Sequence, residues 1–121
     1  DICIYGIGEN GHLAFNDPPV ADFQDPKTVK IVELDPVCRQ QQVNDGCFAT
    51  LEEVPHFAYT LTIPTLLKAR WMFGMVPGPT KIEAVDRAVN GPVSTQCPAS
   101  ILRSHPRAVL YLDEVSAQKV R

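Results

Sequence analysis

The stretch Ile2-Cys3-Ile4-Tyr5-Gly6-Ile7-Gly8-Glu9-Asn10-Gly11-His12 decides the fold of this 121-residue chain. Four apolar residues in a row are typical of a parallel β-strand that is covered on both faces. The glycines that follow allow the backbone to turn sharply and to approach a ligand closely. A strand that ends in such a turn predicts an α/β fold with a ligand site at the carboxyl edge of its sheet.

Strand and helix signals alternate along the rest of the chain. Strands are predicted over 28–34, with Val29 and Ile31 facing inward, over 70–76, with Trp71, Met72 and Phe73 in the core, and over 107–112. Helices are predicted over 35–43, from Thr62 onwards, over 80–89 and over 115–121, with a helical turn over 100–104. This alternation indicates a Rossmann-like, three-layer α/β fold with a largely parallel sheet.

The composition argues against several classes of protein. A formal net charge of −3 disfavours a nucleic-acid surface, and no apolar run is long enough to cross a membrane. The cysteines are Cys3, Cys38, Cys47 and Cys97, and they show neither a CxxC pair nor the Cys/His spacing of a zinc site. We therefore expect reduced thiols in the cytoplasm and no metal site.

The densest polar cluster of the sequence lies directly after the first predicted strand. His12 can give or take a proton near neutral pH, Asp17 can orient its ring, and Asn10 can hydrogen-bond to either partner or to a substrate hydroxyl. The residues alone leave open whether this is a base with its orienting group or an ordinary hydrogen-bonded histidine in a loop.

The full string from Gly6 to Pro18 closely resembles the active-site signature of the glucosamine-6-phosphate deaminase (isomerase) family. The resemblance continues through Ala58–Ala69, through Gly78–Lys81 to Ala88–Gly91, and through Pro98–Pro106. These segments occur in the family's order and span nearly the whole chain.

The resemblance implies a reaction, namely the conversion of glucosamine 6-phosphate and water to fructose 6-phosphate and ammonia, without a cofactor or metal. It implies that His12 shuttles the proton that opens the sugar ring, helped by Asn10 and by Asp17, which stands where the family has glutamate. Gly8 and Gly11 would approach the substrate, and Lys81 would hold its phosphate. For a second phosphate ligand, strict alignment gives Gln42, whereas Arg39 is the nearest cation.

The same resemblance covers only the second half of a typical family member. We therefore expect residues 1–121 to be the carboxyl-terminal part of a larger domain, whose amino-terminal half would supply the base that removes the C2 proton. The chain alone would then be inactive. A homo-oligomer is possible, and Lys30 lies where some members bind an allosteric amino sugar.

Two alternative functions remain open at this stage. A 6-phosphogluconolactonase-like hydrolase would share the fold and would use His12 as the base for water. A non-catalytic sugar-phosphate sensor would keep the fold and the binding residues alone. The segment Ala14–Pro18 matches the deaminase pattern better than the lactonase pattern.

Overall fold

The computed structural model describes residues 1–120. Over this range the elements follow in the order β1 (Ile2–Tyr5), β2 (Val29–Glu33), α1 (Pro36–Asn44), β3 (Phe57–Leu61), α2 (Ile63–Leu67), β4 (Trp71–Met75), α3 (Ile82–Asn90) and β5 (Ala108–Tyr111). Short 3-10 turns occupy Leu51–Glu53, Pro79–Lys81 and Pro98–Ser104.

The strands form two sheets of different kinds. A three-stranded parallel sheet has the order β1-β4-β5, with Cys3 opposite Met72 and Gly74 opposite Leu110. A separate antiparallel pair joins β2 to β3, with Ile31 opposite Tyr59. The predicted α/β class with a parallel sheet is confirmed, although β3 was not predicted and β2 lies outside the parallel sheet.

One face of the parallel sheet carries the larger core. Side chains such as Cys3, Met72 and Leu110 alternate along the strands toward α3, whose Val85 is fully buried. Helix α3 presents its apolar residues at helical spacing, so that one stripe closes this face. The 3-10 turn Pro98–Ser104 packs beside α3 and completes the same layer.

The opposite face of the parallel sheet, which we call the bare face, is apolar and uncovered by residues 1–120. Its side chains are Ile2, Ile4, Trp71, Phe73, Met75, Val109 and Tyr111, most of them exposed and Phe73 half-buried. The prediction that Trp71 and Phe73 lie in the core is therefore wrong for this chain, and only Met72 is buried. Residues 1–120 thus supply two of the three layers that the sequence predicts.

A smaller core lies between α1 and the β2–β3 pair. Val32, Leu34 and Cys38 are buried there, and Ala58 packs against them. The prediction that Val29 and Ile31 face inward is wrong, because strand side chains alternate and this register turns Val32 toward α1. Val29 and Ile31 instead lie with Tyr59 on the outer face of the pair.

Helix boundaries differ from the sequence prediction at two places. Helix α3 begins at Ile82, because the residues that follow Gly78 first form a 3-10 turn. The helix predicted over 115–121 is replaced by turns, in which Asp113 accepts hydrogen bonds from the backbone of Ser116 and Gly78. Arg121 lies outside the described residues. No helix in the described part of the chain is long and apolar enough to span a membrane.

Two methionines on β4 give a matched test of the sheet orientation. Met72 is completely buried against α3, whereas Met75 is 52% exposed on the bare face. Met72→Ala should lower the free energy of unfolding by about 2–5 kcal/mol because it opens a cavity in the core. Met75→Ala should cost less than about 1 kcal/mol. Urea unfolding of both variants measures the difference, and equal losses would contradict this orientation.

Candidate active site

Two adjacent parallel strands bring the polar loops of the chain together. Strands β1 and β4 are neighbours, so their carboxyl ends lie at one edge of the sheet. Lys81, which follows β4, donates a hydrogen bond of 2.8 Å from Nζ to the backbone oxygen of Ile7, which follows β1. A cavity of about 270 Å³ opens here, lined by Gly6, Ile7, Gly8, His12, Ala14, Gln41 and Lys81.

The glycines predicted to approach the substrate have structural roles in this loop. A Cβ on Gly8 would lie 2.0–2.3 Å from atoms of the His12 ring, so the imidazole packs where a side chain would stand. Gly11 has a φ of +84°, and a Cβ there would lie 2.7 Å from Cys97 Sγ. Both glycines are therefore required for the placement of His12.

His12 makes the contacts that the sequence predicts. Its Nδ1 lies 2.6 Å from Asn10 Oδ1 and 3.1 Å from Asp17 Oδ1. Asp17 is fully buried, whereas the His12 side chain is 13% exposed and reaches the cavity. One ring nitrogen of the histidine, Nδ1, thus contacts both an amide oxygen and a carboxylate oxygen of the protein.

Asp35 is a fourth member of this cluster that the sequence did not reveal. Asn10 Nδ2 donates to Asp35 Oδ2 at 2.9 Å and to Asp17 Oδ1 at 3.3 Å. The backbone N–H of Asp35 in turn donates to Asp17 Oδ2 at 3.0 Å. Asp35 stands at the N-cap position of α1, but its carboxylate makes no capping hydrogen bond and faces Asn10 instead.

The two carboxylates fix the orientation of the Asn10 amide. Because carboxylate oxygens accept hydrogen bonds, the Asn10 group that faces them must be the NH₂, and Oδ1 must point at His12. An amide oxygen can only accept, so His12 carries its proton on Nδ1. The neutral ring therefore keeps the lone pair on Nε2, which leaves this nitrogen as the proton acceptor at the cavity.

Asn16 ties the loop to the second sheet. It is fully buried, and its Nδ2 donates to the backbone oxygens of Leu13 and Leu61 at 2.9 and 2.8 Å. The turn also holds Ala14 at a φ of 52°, a conformation that non-glycine residues rarely adopt. Ala14 lines the cavity, so this strained residue lies at its wall, two positions before the Asn16 side chain that anchors the turn.

The residues predicted to bind phosphate separate in the structure. Lys81 lines the cavity, but the Arg39 guanidinium donates to the backbone oxygens of Leu51 and Val54 at 2.8 and 3.2 Å. Arg39 thus anchors the segment after α1 and does not line the cavity. Gln42 does not line it either; the α1 side chain there is Gln41, whose Oε1 accepts from the backbone N–H of Glu9 at 3.0 Å.

Lys30, which the resemblance placed where some family members bind an allosteric amino sugar, makes structural contacts in this chain. Lys30 pairs with Asp25 at 2.7 Å and donates to the Val20 backbone oxygen at 2.6 Å, which ties β2 to the preceding loop.

All four cysteines are free thiols. Cys38 lies on α1 with its thiol near His12 and Asp17, where the donor atoms of all three side chains are within 4.8 Å of one another. The sequence predicted no metal site, because these residues are far apart along the chain.

The shared amide of Asn10 leads to a prediction about stability. Asn10→Asp removes the donor that two carboxylates share and adds a third acceptor beside them, so it should cost about 1–3 kcal/mol of unfolding free energy. Asp35→Asn in the same chain should recover part of that loss, with a coupling energy of about 1 kcal/mol. A double-mutant cycle in urea measures the coupling, and strict additivity of the two changes would contradict the shared bond.

Comparison with known proteins identifies relatives of the whole chain. It is 38% identical over 117 residues to a glucosamine-6-phosphate deaminase of Rhodopirellula baltica, covering 97% of this chain and 45% of the relative. A glucosamine-6-phosphate deaminase of Corynebacterium aurimucosum is also 38% identical, with 44% of its length covered. The chain spans under half the length of these curated relatives. No family model matches the sequence.

Solved structures give the same result. The chain matches a structure described as a monomeric glucosamine-6-phosphate deaminase with a TM-score of 0.89 and 32% identity, covering 98% of this chain and 47% of that one. A 6-phosphogluconolactonase from Trypanosoma cruzi, at 19% identity and a TM-score of 0.70, shares the fold. The resemblance to the glucosamine-6-phosphate deaminase family is thus confirmed, and the chain corresponds to the carboxyl-terminal part of its members.

Proposed function

We propose that residues 1–121 form the carboxyl-terminal part of a glucosamine-6-phosphate deaminase, which converts glucosamine 6-phosphate and water to fructose 6-phosphate and ammonia. The observation that carries this proposal is the His12–Asn10–Asp17 cluster facing Lys81 across one cavity. The similarity to curated deaminases over 97% of the chain supports it.

Substrate binding would begin at Lys81. Its ammonium group lies at the cavity and, within residues 1–120, makes one hydrogen bond, to the Ile7 backbone oxygen, so that it retains donors for a phosphate. The glycine-rich backbone at Gly6 and Gly8 leaves room for the sugar between Lys81 and His12. The cation and the base would therefore meet opposite ends of one phosphorylated sugar.

Ring opening would follow at His12. Its Nε2 lone pair accepts the proton of the anomeric hydroxyl, the bond between C1 and the ring oxygen breaks, and the same nitrogen returns the proton to the ring oxygen. During this step the imidazolium is stabilised by Asn10 Oδ1 at 2.6 Å and by Asp17 Oδ1 at 3.1 Å from Nδ1. Asp35 contributes by holding the Asn10 amide in the required orientation.

We further propose that an amino-terminal half like that of the relatives completes the enzyme. It would provide the base that moves the C2 proton to C1 through an enolamine, after which water releases ammonia from the imine. It would also cover the bare face, because parallel sheets are buried on both sides.

The outer face of the β2–β3 pair, with Ile31, Phe57 and Tyr59 exposed, is a second apolar surface on which copies of the protein could associate. Free thiols at Cys3, Cys38, Cys47 and Cys97 fit a cytoplasmic enzyme.

The covering of the bare face can be measured with the chain's single tryptophan. Trp71 is 42% exposed in residues 1–120, so acrylamide should quench its fluorescence efficiently in the 121-residue chain. In the longest natural polypeptide that contains this sequence, quenching of the tryptophan at this position should fall several-fold. Equal quenching in both proteins would contradict the covering, without bearing on the chemistry of His12.

The reaction itself is tested by the release of ammonia and fructose 6-phosphate from glucosamine 6-phosphate by that longer polypeptide. His12→Ala should lower kcat by about 10²–10⁴, the usual contribution of a proton-transfer group. A loss below threefold would contradict the role of His12. Hydrolysis of a sugar lactone without ammonia release, or binding of the phosphosugar without turnover, would replace the deaminase proposal by a lactonase or a sensor.

The phosphate contact has its own matched test. Lys81→Ala should raise KM for glucosamine 6-phosphate with a smaller effect on kcat, because the contact is made in both the ground and transition states. Lys68→Ala, an exposed lysine after α2, is the control and should leave both constants unchanged. A fall in kcat alone for Lys81→Ala would contradict the phosphate assignment.

A further inference from the structure

Behind His12, away from the cavity, three side chains converge that are distant in sequence. His12 Nδ1, an Asp17 carboxylate oxygen and Cys38 Sγ all lie within 4.8 Å of one another, and Nδ1 and Asp17 Oδ1 are 3.1 Å apart. Asp17 and Cys38 are buried, at 0% and 2% exposure, and His12 connects them to the cavity. The loop after β1 supplies two of these residues and α1 supplies the third.

The donor set is one that binds divalent metal ions with affinity for sulfur. Imidazole nitrogen, carboxylate oxygen and thiolate sulfur are the ligands of zinc in proteins. Tetrahedral zinc with ordinary bond lengths separates its ligands by roughly 3.3–3.8 Å, so closure requires side-chain movements of about 1 Å. Asn10 Oδ1, 2.6 Å from His12 Nδ1, is a further oxygen at the same point.

The charges of the cluster also favour a cation. Asp17 is a fully buried carboxylate, and its oxygen lies within 4.8 Å of the Cys38 thiol. The second carboxylate of the cluster, that of Asp35, is joined to Asp17 through Asn10. A divalent cation would relieve this concentration of acceptors and would displace the proton of the thiol as it binds.

We propose that His12, Asp17 and Cys38 form a site for a zinc-like divalent cation, and that occupancy of this site inhibits the enzyme. Binding forms a bond from the metal to Cys38 Sγ and releases the thiol proton to solvent. It also uses the lone pair of His12 Nδ1, so the ring proton must lie on Nε2. The inhibitory part rests on the proposed function, because a protonated Nε2 cannot accept the proton of the anomeric hydroxyl.

Cobalt(II) tests the site directly, since a bound thiolate gives it a charge-transfer absorption band in the near ultraviolet. The 121-residue chain is titrated with Co²⁺ under reducing conditions and then with Zn²⁺, which should displace the cobalt. Cys47→Ser is the matched control because Cys47 is exposed and is not one of the three clustered side chains, and it should keep the band. Cys38→Ser should abolish the band, and His12→Gln should weaken Co²⁺ binding at least about tenfold, the cost expected for a lost ligand interaction.

Each outcome decides the assignment. A band that survives Cys38→Ser, that disappears in Cys47→Ser, or that is absent from the unmodified chain overturns the metal site. If Cys38→Ser fails to fold, as judged by circular dichroism, His12→Gln decides instead, because the partly exposed ring can be replaced without opening the core. Unchanged Co²⁺ affinity in His12→Gln would then overturn the proposal.

Inhibition is measured separately on the longer polypeptide. Zn²⁺ should abolish ammonia release in proportion to its occupancy, and a chelator should restore the activity. Full occupancy with unchanged turnover would overturn the inhibitory role while leaving the metal site in place. A positive cobalt titration in a protein without deaminase activity would leave the site standing and would contradict the proposed function instead.

Discussion

The amide of Asn10 is the interaction on which the candidate site depends. Its NH₂ is shared by Asp17 and Asp35, and this fixes its oxygen against His12 Nδ1 at 2.6 Å. A carboxylate at position 10 could not serve both aspartates, because three carboxylates would then meet without the amide donor between them. The Asn10 side chain therefore sets the hydrogen-bond directions of the whole cluster. It determines on which nitrogen His12 carries its proton, and with it the chemistry of the cavity.

The sheet topology explains why this cluster meets Lys81. Strands β1 and β4 are adjacent and parallel, so the loop that carries His12 and the turn that carries Lys81 leave the same edge. The cluster draws its other members from α1 and from the residue that precedes it, and α1 packs in the second sheet's core. Movement of α1 relative to the parallel sheet would thus change the contacts of Asp35 and Cys38 with the loop. The site is assembled from both halves of the described chain.

Sequence reasoning predicted the loop well and the surfaces poorly. His12, Asn10 and Asp17 lie within eight positions of one another, so local spacing was sufficient to group them. Asp35 and Cys38 join them only through the fold, and Arg39 carried the expected charge but is turned toward backbone oxygens. Apolar patterning predicted that Trp71 and Ile31 are buried, because hydrophobicity reports that a surface is to be covered and not which segment covers it.

The tautomer of His12 is the most direct test of this account, and long-range proton–nitrogen NMR spectra of the ¹⁵N-labelled chain report it. His105 is an internal reference, because its Nδ1 accepts from the Arg107 N–H and its Nε2 donates to the Ala69 oxygen. We expect His12 to show the opposite pattern in its neutral form, with the proton on Nδ1. A His12 signal with the proton on Nε2, like that of His105, would contradict the orientation of Asn10 and the proton transfer built on it.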